Sequence, residues 1–306
     1  MFTKNATLII PTRNRAELLE KTLRQIKKLK VIFYEIIVVD SSDIDKKNNL
    51  QKICKKFNAK FISSKASSSF QRNVGLKCRN LNTKFVMFLD DDVIFFKNTF
   101  KEMNKTIKKY HKNKNVVGFC FNQVGNLHTS LFEKIKTSKF VKKINLYSNN
   151  PGQITKSGWH TKILNVKKDI LADWSFTTAS IYKSENIINK FFDTTFGSYS
   201  YLEDLEFSLK VTLKKKHFVI SSKAKFQHPI NIDRSSFLFG KAEVINRYKI
   251  VLKYRLSGFF FFTNVVLRFF ISLLKIFLGN INSFKRALGN IYAIVLIVFK
   301  KAKIAD

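Results

Sequence analysis

The run Phe85-Val86-Met87-Phe88-Leu89, followed at once by Asp90-Asp91-Asp92, constrains this chain more than any other stretch. Five apolar residues rich in β-formers predict a strand buried on both faces, as at the centre of a parallel sheet. Three adjacent carboxylates at its carboxyl end raise one another's pKa values unless a cation joins them. In extended backbone Asp90 and Asp92 would project to one side, with Cα atoms roughly 7 Å apart, and Asp91 to the other. That spacing suits a hard divalent ion, Mg2+ or Mn2+, shared among carboxylate oxygens, water and a substrate diphosphate. The competing expectation is that the acids merely end the strand and favour the N-terminus of a helix near Asn98; several intervening residues weigh against it.

The segments before this strand alternate. Ala6-Thr7-Leu8-Ile9-Ile10 reads as a strand closed by Pro11, with a helix from about Glu17 carrying Leu19, Leu23 and Ile26 on one face. Ile36-Ile37-Val38-Val39 reads as a second strand, ending in Asp40-Ser41-Ser42-Asp43. Leu50, Ile53, Cys54 and Phe57 mark the next amphipathic helix, and residues 60–62 a short third strand. A polar, serine-rich loop precedes a helix begun by Gln71-Arg72-Asn73-Val74-Gly75-Leu76; residues 98–112 then read as helix and 116–121 as strand. Strand and helix in alternation predict an α/β fold with a mostly parallel, doubly wound sheet and flanking helices. Ligands of such sheets bind outside the carboxyl ends of the strands, where Pro11-Thr12-Arg13, Asp40 and Asp90 to Asp92 converge. Beyond Asn122 the pattern is harder to read. Residues 149–152 form a turn signal, residues 174–182 regain strand character, and residues 200–213 read as helix. Ser200 and Glu203 match a capping box, which gives Glu203 a purely structural reading, while Asp204 and Glu206 would complement the helix dipole.

Composition narrows the functional classes. With 306 residues and 45% apolar content the chain has ample core for one large α/β domain or two smaller ones. Lys and Arg number 56 against 21 acids, a net charge of +35, which points to nucleic acid, an anionic membrane surface or an anionic substrate. Cys54, Cys78 and Cys120 are far apart with no CxxC pair, which fits a reducing compartment, and no leader pattern opens the sequence. The chain is therefore expected at the cytoplasmic face of a membrane. No GxGxxG and no GxxxxGK[ST] is present.

Five motifs occur in order: Ile10-Pro11-Thr12-Arg13-Asn14-Arg15, Val39-Asp40, Gln71-Arg72-Asn73-Val74-Gly75, Phe88-Leu89-Asp90-Asp91-Asp92 and Glu203-Asp204-Leu205-Glu206-Phe207. Together they resemble family 2 of the glycosyltransferases, with the GT-A fold, over roughly residues 5–230. The resemblance implies an inverting, non-processive enzyme that moves a sugar from a nucleoside-diphosphate sugar to a hydroxyl of a saccharide or lipid-linked acceptor. It implies nucleotide-sugar contacts at Pro11, Thr12, Arg13, Asp40, Arg72, Asn73, Asp90 and Asp91, and Mn2+ or Mg2+ held by Asp92 with Asp90 and His228. It makes Asp204 the general base and places Glu203 and Trp174 on the acceptor side. Departures are Ser41 where a second acid is frequent, Lys210 where arginine is common, and no QxxRW, which argues against a processive synthase. His111, His128, His160 and His217 show no site-like spacing. The implied organisation is a glycosyltransferase domain over 1–235, its nucleotide-sugar half about 1–122 and acceptor half about 123–235, followed by a basic, apolar helical region over 236–306.

That last region predicts membrane-associated helices. Residues 256–278 are apolar but interrupted, and Asn264, Arg268, Ser272 and Lys275 fall on one helical side. The expectation is a helix lying in the membrane interface with this basic stripe toward anionic headgroups, since a spanning helix would bury Arg268 near the bilayer centre. Residues 287–299 are uniformly apolar but short for a span. A spanning or re-entrant hairpin and helices that complete a soluble core are the alternatives. Two rival functions remain. A sugar nucleotidyltransferase normally has a glycine-rich loop after the first strand, and Pro11 to Arg15 contain no glycine. A non-catalytic nucleic-acid binder has only the charge in its favour, so no nucleic-acid partner is expected.

Overall fold

The computed structural model describes residues 1–125, 138–139, 141, 147–197, 200–213, 215–229, 234–277 and 282–299. His128 therefore lies outside the described residues, as does the Lys275 side chain. The chain divides into two compact units, one of residues 1–125 with 163–229, the other of residues 126–162 with 230–306. The segment 126–162, expected in the acceptor half of the first domain, groups with the C-terminal helices.

The first unit is built on a nine-stranded sheet in the order β3-β2-β1-β4-β8-β6-β9-β5, with β7 also on β9. The strands are β1 Ala6–Thr12, β2 Glu35–Asp40, β3 Lys60–Ser63, β4 Phe85–Leu89, β5 Ile94–Phe95, β6 Val116–Gln123, β7 Ile170–Ala172, β8 Ala179–Lys183 and β9 His217–Gln227. Helices α1 Ala16–Lys28, α2 Ile44–Lys56, α3 Ser68–Cys78 and α4 Thr99–Tyr110 alternate with the early strands, and α5 Glu203–Thr212 precedes β9. From β3 to β4 every pairing is parallel. Beyond β4 the sheet is mixed: β8 runs antiparallel to both β4 and β6, β6 and β9 are parallel, and β5 and β7 run antiparallel to β9. The expected mostly parallel sheet is thus corrected to a mixed one. The alternation of strand and helix that implies parallel pairing ends at β6, so it carries no information about β7 and β8.

Strand β4 lies at the centre as its composition requires, with Val86, Met87, Phe88 and Leu89 fully buried. Phe88 meets Tyr182, Phe192 and Phe207 edge-on, so the strand that ends in the three acids is fixed by aromatic packing. Helix α3 approaches β1 so closely that a Cβ at Gly75 would meet Ile9 at 2.5 Å. Glycine is required there, and the close approach brings Gln71 and Arg72 to the carboxyl ends of β1 and β4. Strand β1 runs on through Pro11, which pairs in register with Val39, to Thr12, one residue past the expected stop.

Helix α5 begins at Glu203, and the expected capping box at Ser200 does not form. Ser200 and Leu202 both have positive φ, and the Ser200 hydroxyl donates to the Gly197 carbonyl. Glu203 turns away from the helix end onto α3, so its side chain cannot close the box.

The second unit contains α6 Phe237–Lys253, α7 Gly258–Phe277 and α8 Asn282–Val298. Its core comprises Trp159, Val244, Val251, Phe261, Val265, Ala293 and Ile297. Helices α6 and α8 touch backbone to backbone: a Cβ at Gly240 would strike the Arg286 carbonyl, and one at Gly289 the Phe237 carbonyl. Glu243 of α6 is buried and accepts from Arg268 of α7 at 2.9 Å and from Arg286 of α8 at 2.6 Å. Arg268 also donates to the Tyr147 hydroxyl at 3.2 Å, and Asn264, fully buried, donates to Ser157 Oγ at 3.2 Å. The Ser272 hydroxyl donates to the Arg268 carbonyl. The stripe expected to face headgroups is therefore turned inward at Asn264 and Arg268. The buried carboxylate of Glu243 would be left uncompensated without these arginines, and that holds Arg268 toward the protein. Among the described residues no helix is long and apolar enough to cross a membrane.

Candidate active site

The site is assembled at the carboxyl ends of β1, β2 and β4. Because β4 stops at Leu89, the three acids lie in the turn that follows, and their side chains reach different sets of partners, with Arg15 shared by two of them. Asp90 accepts from Arg72 Nη2 at 2.9 Å. Asp91, buried, accepts from Thr12 Oγ1 at 2.7 Å and from Arg15 Nη1 at 3.2 Å. Asp92 accepts from the same Arg15 nitrogen at 3.2 Å and lies 2.8 Å from His228 Nε2. The Thr22 hydroxyl of α1 holds the Asp91 carbonyl at 2.8 Å, fixing the turn from behind.

Electrostatics separates the three. Burial pushes Asp91 up to about 6, against the opposing effect of Thr12 and Arg15 and with the added repulsion of Asp92 and Asp90. Asp92 is also desolvated, but its hydrogen bond to His228 and the charges of His228 and Arg15 outweigh burial and hold it below the usual carboxylate range. His228 responds in the opposite sense: burial disfavours its cation, and the bond to Asp92 with the charges of Asp90 and Asp92 raises its pKa.

A second arm of the network reaches α5. Arg72 is buried and bridges Asp90 to Glu203, which also accepts from the Ser68 hydroxyl at 2.9 Å and from the Ser69 hydroxyl. Burial works against the Arg72 charge, and Glu203, Asp90 and Asp204 overcome it, so the guanidinium stays cationic. Asp204 is half-buried in the first turn of α5 and accepts from the Leu205 N–H at 2.8 Å. Glu203, expected on the acceptor side, is buried, and its carboxylate faces α3. Trp174, expected beside it, is buried against Phe176.

The remaining expected residues fall into two sets. Asp40 is fully buried at the end of β2 and accepts from the Ser42 N–H at 3.0 Å and the Ser42 hydroxyl at 2.5 Å. Its other oxygen, Oδ2, has no hydrogen-bond partner among the described residues. Such an orphaned buried oxygen is what a ligand donor would satisfy. Arg13 is exposed just past Thr12, and Pro11 is buried within β1. Asn73, expected in the donor pocket, instead has its carboxamide engaged with the Phe192 backbone on both sides, at 2.8 and 2.7 Å. Gln71 donates to the carbonyls of Thr12 and Val39, tying the ends of β1 and β2 to α3.

Sequence reasoning missed Arg15, although it stands inside the first motif. Arg15 precedes Asp91 by 76 residues, and it is the parallel pairing of β1 with β4 that brings the two together. Ser68 and Ser69 were hidden in a run of serines that reads as loop.

Among the described residues no group of three or more His, Cys, Asp or Glu side chains is arranged to hold a metal ion. The pair Asp92 and His228 does converge, and a carboxylate with an imidazole suits Mn2+ where a diphosphate and water complete the shell. The residues present therefore fit such an ion.

A family model described as Glycosyl transferase family 2 matches residues 7–167, more than half of the chain. Solved structures agree at the level of fold. GalNAc-T7 in complex with UDP, GalNAc and Mn2+ matches with TM-score 0.55 at 13% identity, over 80% of this chain and 47% of that one. The mannosyltransferase PcManGT from Pyrobaculum calidifontis, in complex with GDP-Man and Mn2+, matches with TM-score 0.53 at 13% identity, over 97% and 79%. S. aureus TarS 1-349 matches with TM-score 0.50 at 19% identity, over 81% of this chain and 65% of that one, so the chain spans just under two thirds of that relative. No curated protein matches the chain.

Proposed function

The chain belongs to glycosyl transferase family 2, and from that premise we propose that it is an inverting enzyme that moves a sugar from a nucleoside-diphosphate sugar to an acceptor hydroxyl. The observation that carries this reading is the fan of Asp90, Asp91 and Asp92 at the carboxyl edge of the sheet, beside the orphaned oxygen of Asp40. With Glu203, which shares Arg72, four carboxylates are held by three cations, which suits a donor diphosphate delivered with a divalent ion. The likeness in fold to PcManGT and GalNAc-T7, whose complexes contain Mn2+, supports the same ion here, with Mg2+ as the alternative.

Each residue then has a task. Asp40, whose buried Oδ2 is left unpaired among the described residues, marks the nucleoside end of the site. Asp92 with His228 would hold the ion, which when bound supplies Lewis-acid charge at the diphosphate. Arg15, half-exposed beside Asp91 and Asp92, neutralises charge that grows on the departing nucleoside diphosphate. Arg72 fixes the distance between the acid turn and α5 through Asp90 and Glu203. Asp204, at the first turn of α5, accepts the proton of the acceptor hydroxyl as that oxygen attacks the anomeric carbon. One displacement through an oxocarbenium-like state leaves the product with inverted configuration. The acceptor is a saccharide or a lipid-linked saccharide.

Asp204→Asn tests the assignment. Transfer, followed by NMR of the product anomer, should vanish while donor binding persists. Normal turnover of that variant would remove Asp204 from the role, and a retained anomeric configuration in the wild-type product would exclude the single displacement.

A further inference from the structure

Helices α7 and α8 show solvent the side chains that a helix in water normally hides. Along α7, Phe259, Val266, Phe270 and Leu274 are exposed and recur at steps of seven, four and four residues, a single stripe. Phe259 is 76% exposed and Phe270 57%. Along α8, Phe284, Leu288, Tyr292, Val295 and Val298 form a second exposed stripe. The opposite sides carry the core residues Phe261, Val265, Ala293 and Ile297 together with the polar and small ones: Asn264 and Arg268 of α7 point at Ser157 and Glu243, and Gly289 and Asn290 of α8 are buried. An isolated exposed leucine is ordinary on a protein surface, but two continuous stripes on helices whose polar sides face inward are not.

Charge identifies the occupant. After Ser236 the only acids in the sequence are Glu243 and Asp306, and Glu243 is enclosed by Arg268 and Arg286. Lys253, Arg255 and Lys285 remain exposed in the same unit. A second copy of the chain would bring the same positive surplus against itself, whereas an anionic leaflet complements both the apolar stripes and the basic residues. Arg268 at the middle of α7 and the lack of any spanning helix among the described residues leave attachment in the membrane plane. We propose that the outward apolar stripes of α7 and α8 are the surface by which this protein docks into an anionic lipid leaflet, its helices lying in the interface. The stripes enter the acyl boundary and the inward polar side stays with the protein, the reverse of the orientation that the basic stripe alone would give. Docking of this kind needs neither donor nor metal, so it can be tested apart from sugar transfer.

The test is flotation of the full chain with phosphatidylcholine vesicles, with and without phosphatidylglycerol. The wild type should float with the anionic vesicles, be released by detergent, and be released only in part by salt. The combined variant Phe259→Ser, Phe270→Ser, Leu274→Ser should lower the bound fraction by roughly tenfold or more at unchanged melting temperature. Phe270→Trp gives a readout that does not depend on that variant folding: its fluorescence should be quenched by vesicles with brominated acyl chains. The proposal is overturned by wild type that stays unbound, by complete release with salt, by an unquenched Phe270→Trp, or by a lipid-free dimer that the triple variant dissociates.

Discussion

The acids after β4 and the carboxylate of Glu243 are both held by arginine, yet their surroundings have opposite surplus. Around Glu243, Arg268, Arg286 and Arg247 act on one carboxylate, and that pressure outweighs complete burial to bring its pKa down to about 2. Around β4, Asp90, Asp91, Asp92 and Glu203 share Arg15, Arg72 and His228 among the described residues. The first arrangement closes on itself and pins three helices together. The second retains capacity for another cation at a turn that solvent reaches. A carboxylate saturated by arginine is thus a structural pin, and carboxylates in excess of their fixed cations make a place for chemistry.

If that contrast is correct, the same kind of substitution should have different consequences in the two places. Asp92→Asn removes a proposed ligand and should lower kcat/KM by about a thousandfold or more, several kcal/mol of transition-state stabilisation, with the thermal unfolding curve little changed. Glu243→Gln should do the converse. Removing one partner of a buried pair leaves Arg268 and Arg286 uncompensated, at a cost of about 3 kcal/mol to the helical unit in urea unfolding. Loss of sugar transfer without loss of stability in Glu243→Gln would break the contrast.

Acid titration sharpens it. The folded pKa of Glu243 is about 2, below the ordinary glutamate value of about 4.3, so its contribution to stability is complete above the ordinary value. It should be lost as pH falls from there through the folded value. Unfolding of the helical unit should therefore show a slope over that window in the wild type and a flatter one in Glu243→Gln. The smallest effect is expected at Arg72→Lys, which keeps the charge but cannot fork between Asp90 and Glu203. Turnover should fall about 10- to 100-fold, the size of loss expected for a positioning change beside the proposed metal site.

Much of the sheet unit could be read in the chain because its signals are local. The apolar run 85–89 forms the central strand, and the acid triplet stands at its end with Thr12 and Asp40 at the neighbouring ends. What escaped depends on distant partners. Strand β5 has two residues and exists only by pairing with β9. Glu203 fits a capping box locally, but Ser68, Ser69 and Arg72, more than 130 residues earlier, claim its carboxylate. The stripe through Asn264 and Arg268 was visible as a stripe, whereas its direction was decided by Glu243 on another helix. Periodicity reports that a helix has two faces and not which one meets the protein.

The account rests on an activated sugar held by its diphosphate at the carboxyl edge of the sheet. Calorimetric titration of UDP-, GDP- and dTDP-sugars into the wild type and Asp92→Asn, each with and without Mn2+, tests this most directly. One nucleotide class should bind, with affinity that depends on Mn2+ and is lost in Asp92→Asn. Binding of none of them under any metal condition, or binding indifferent to both Mn2+ and Asp92, would contradict it.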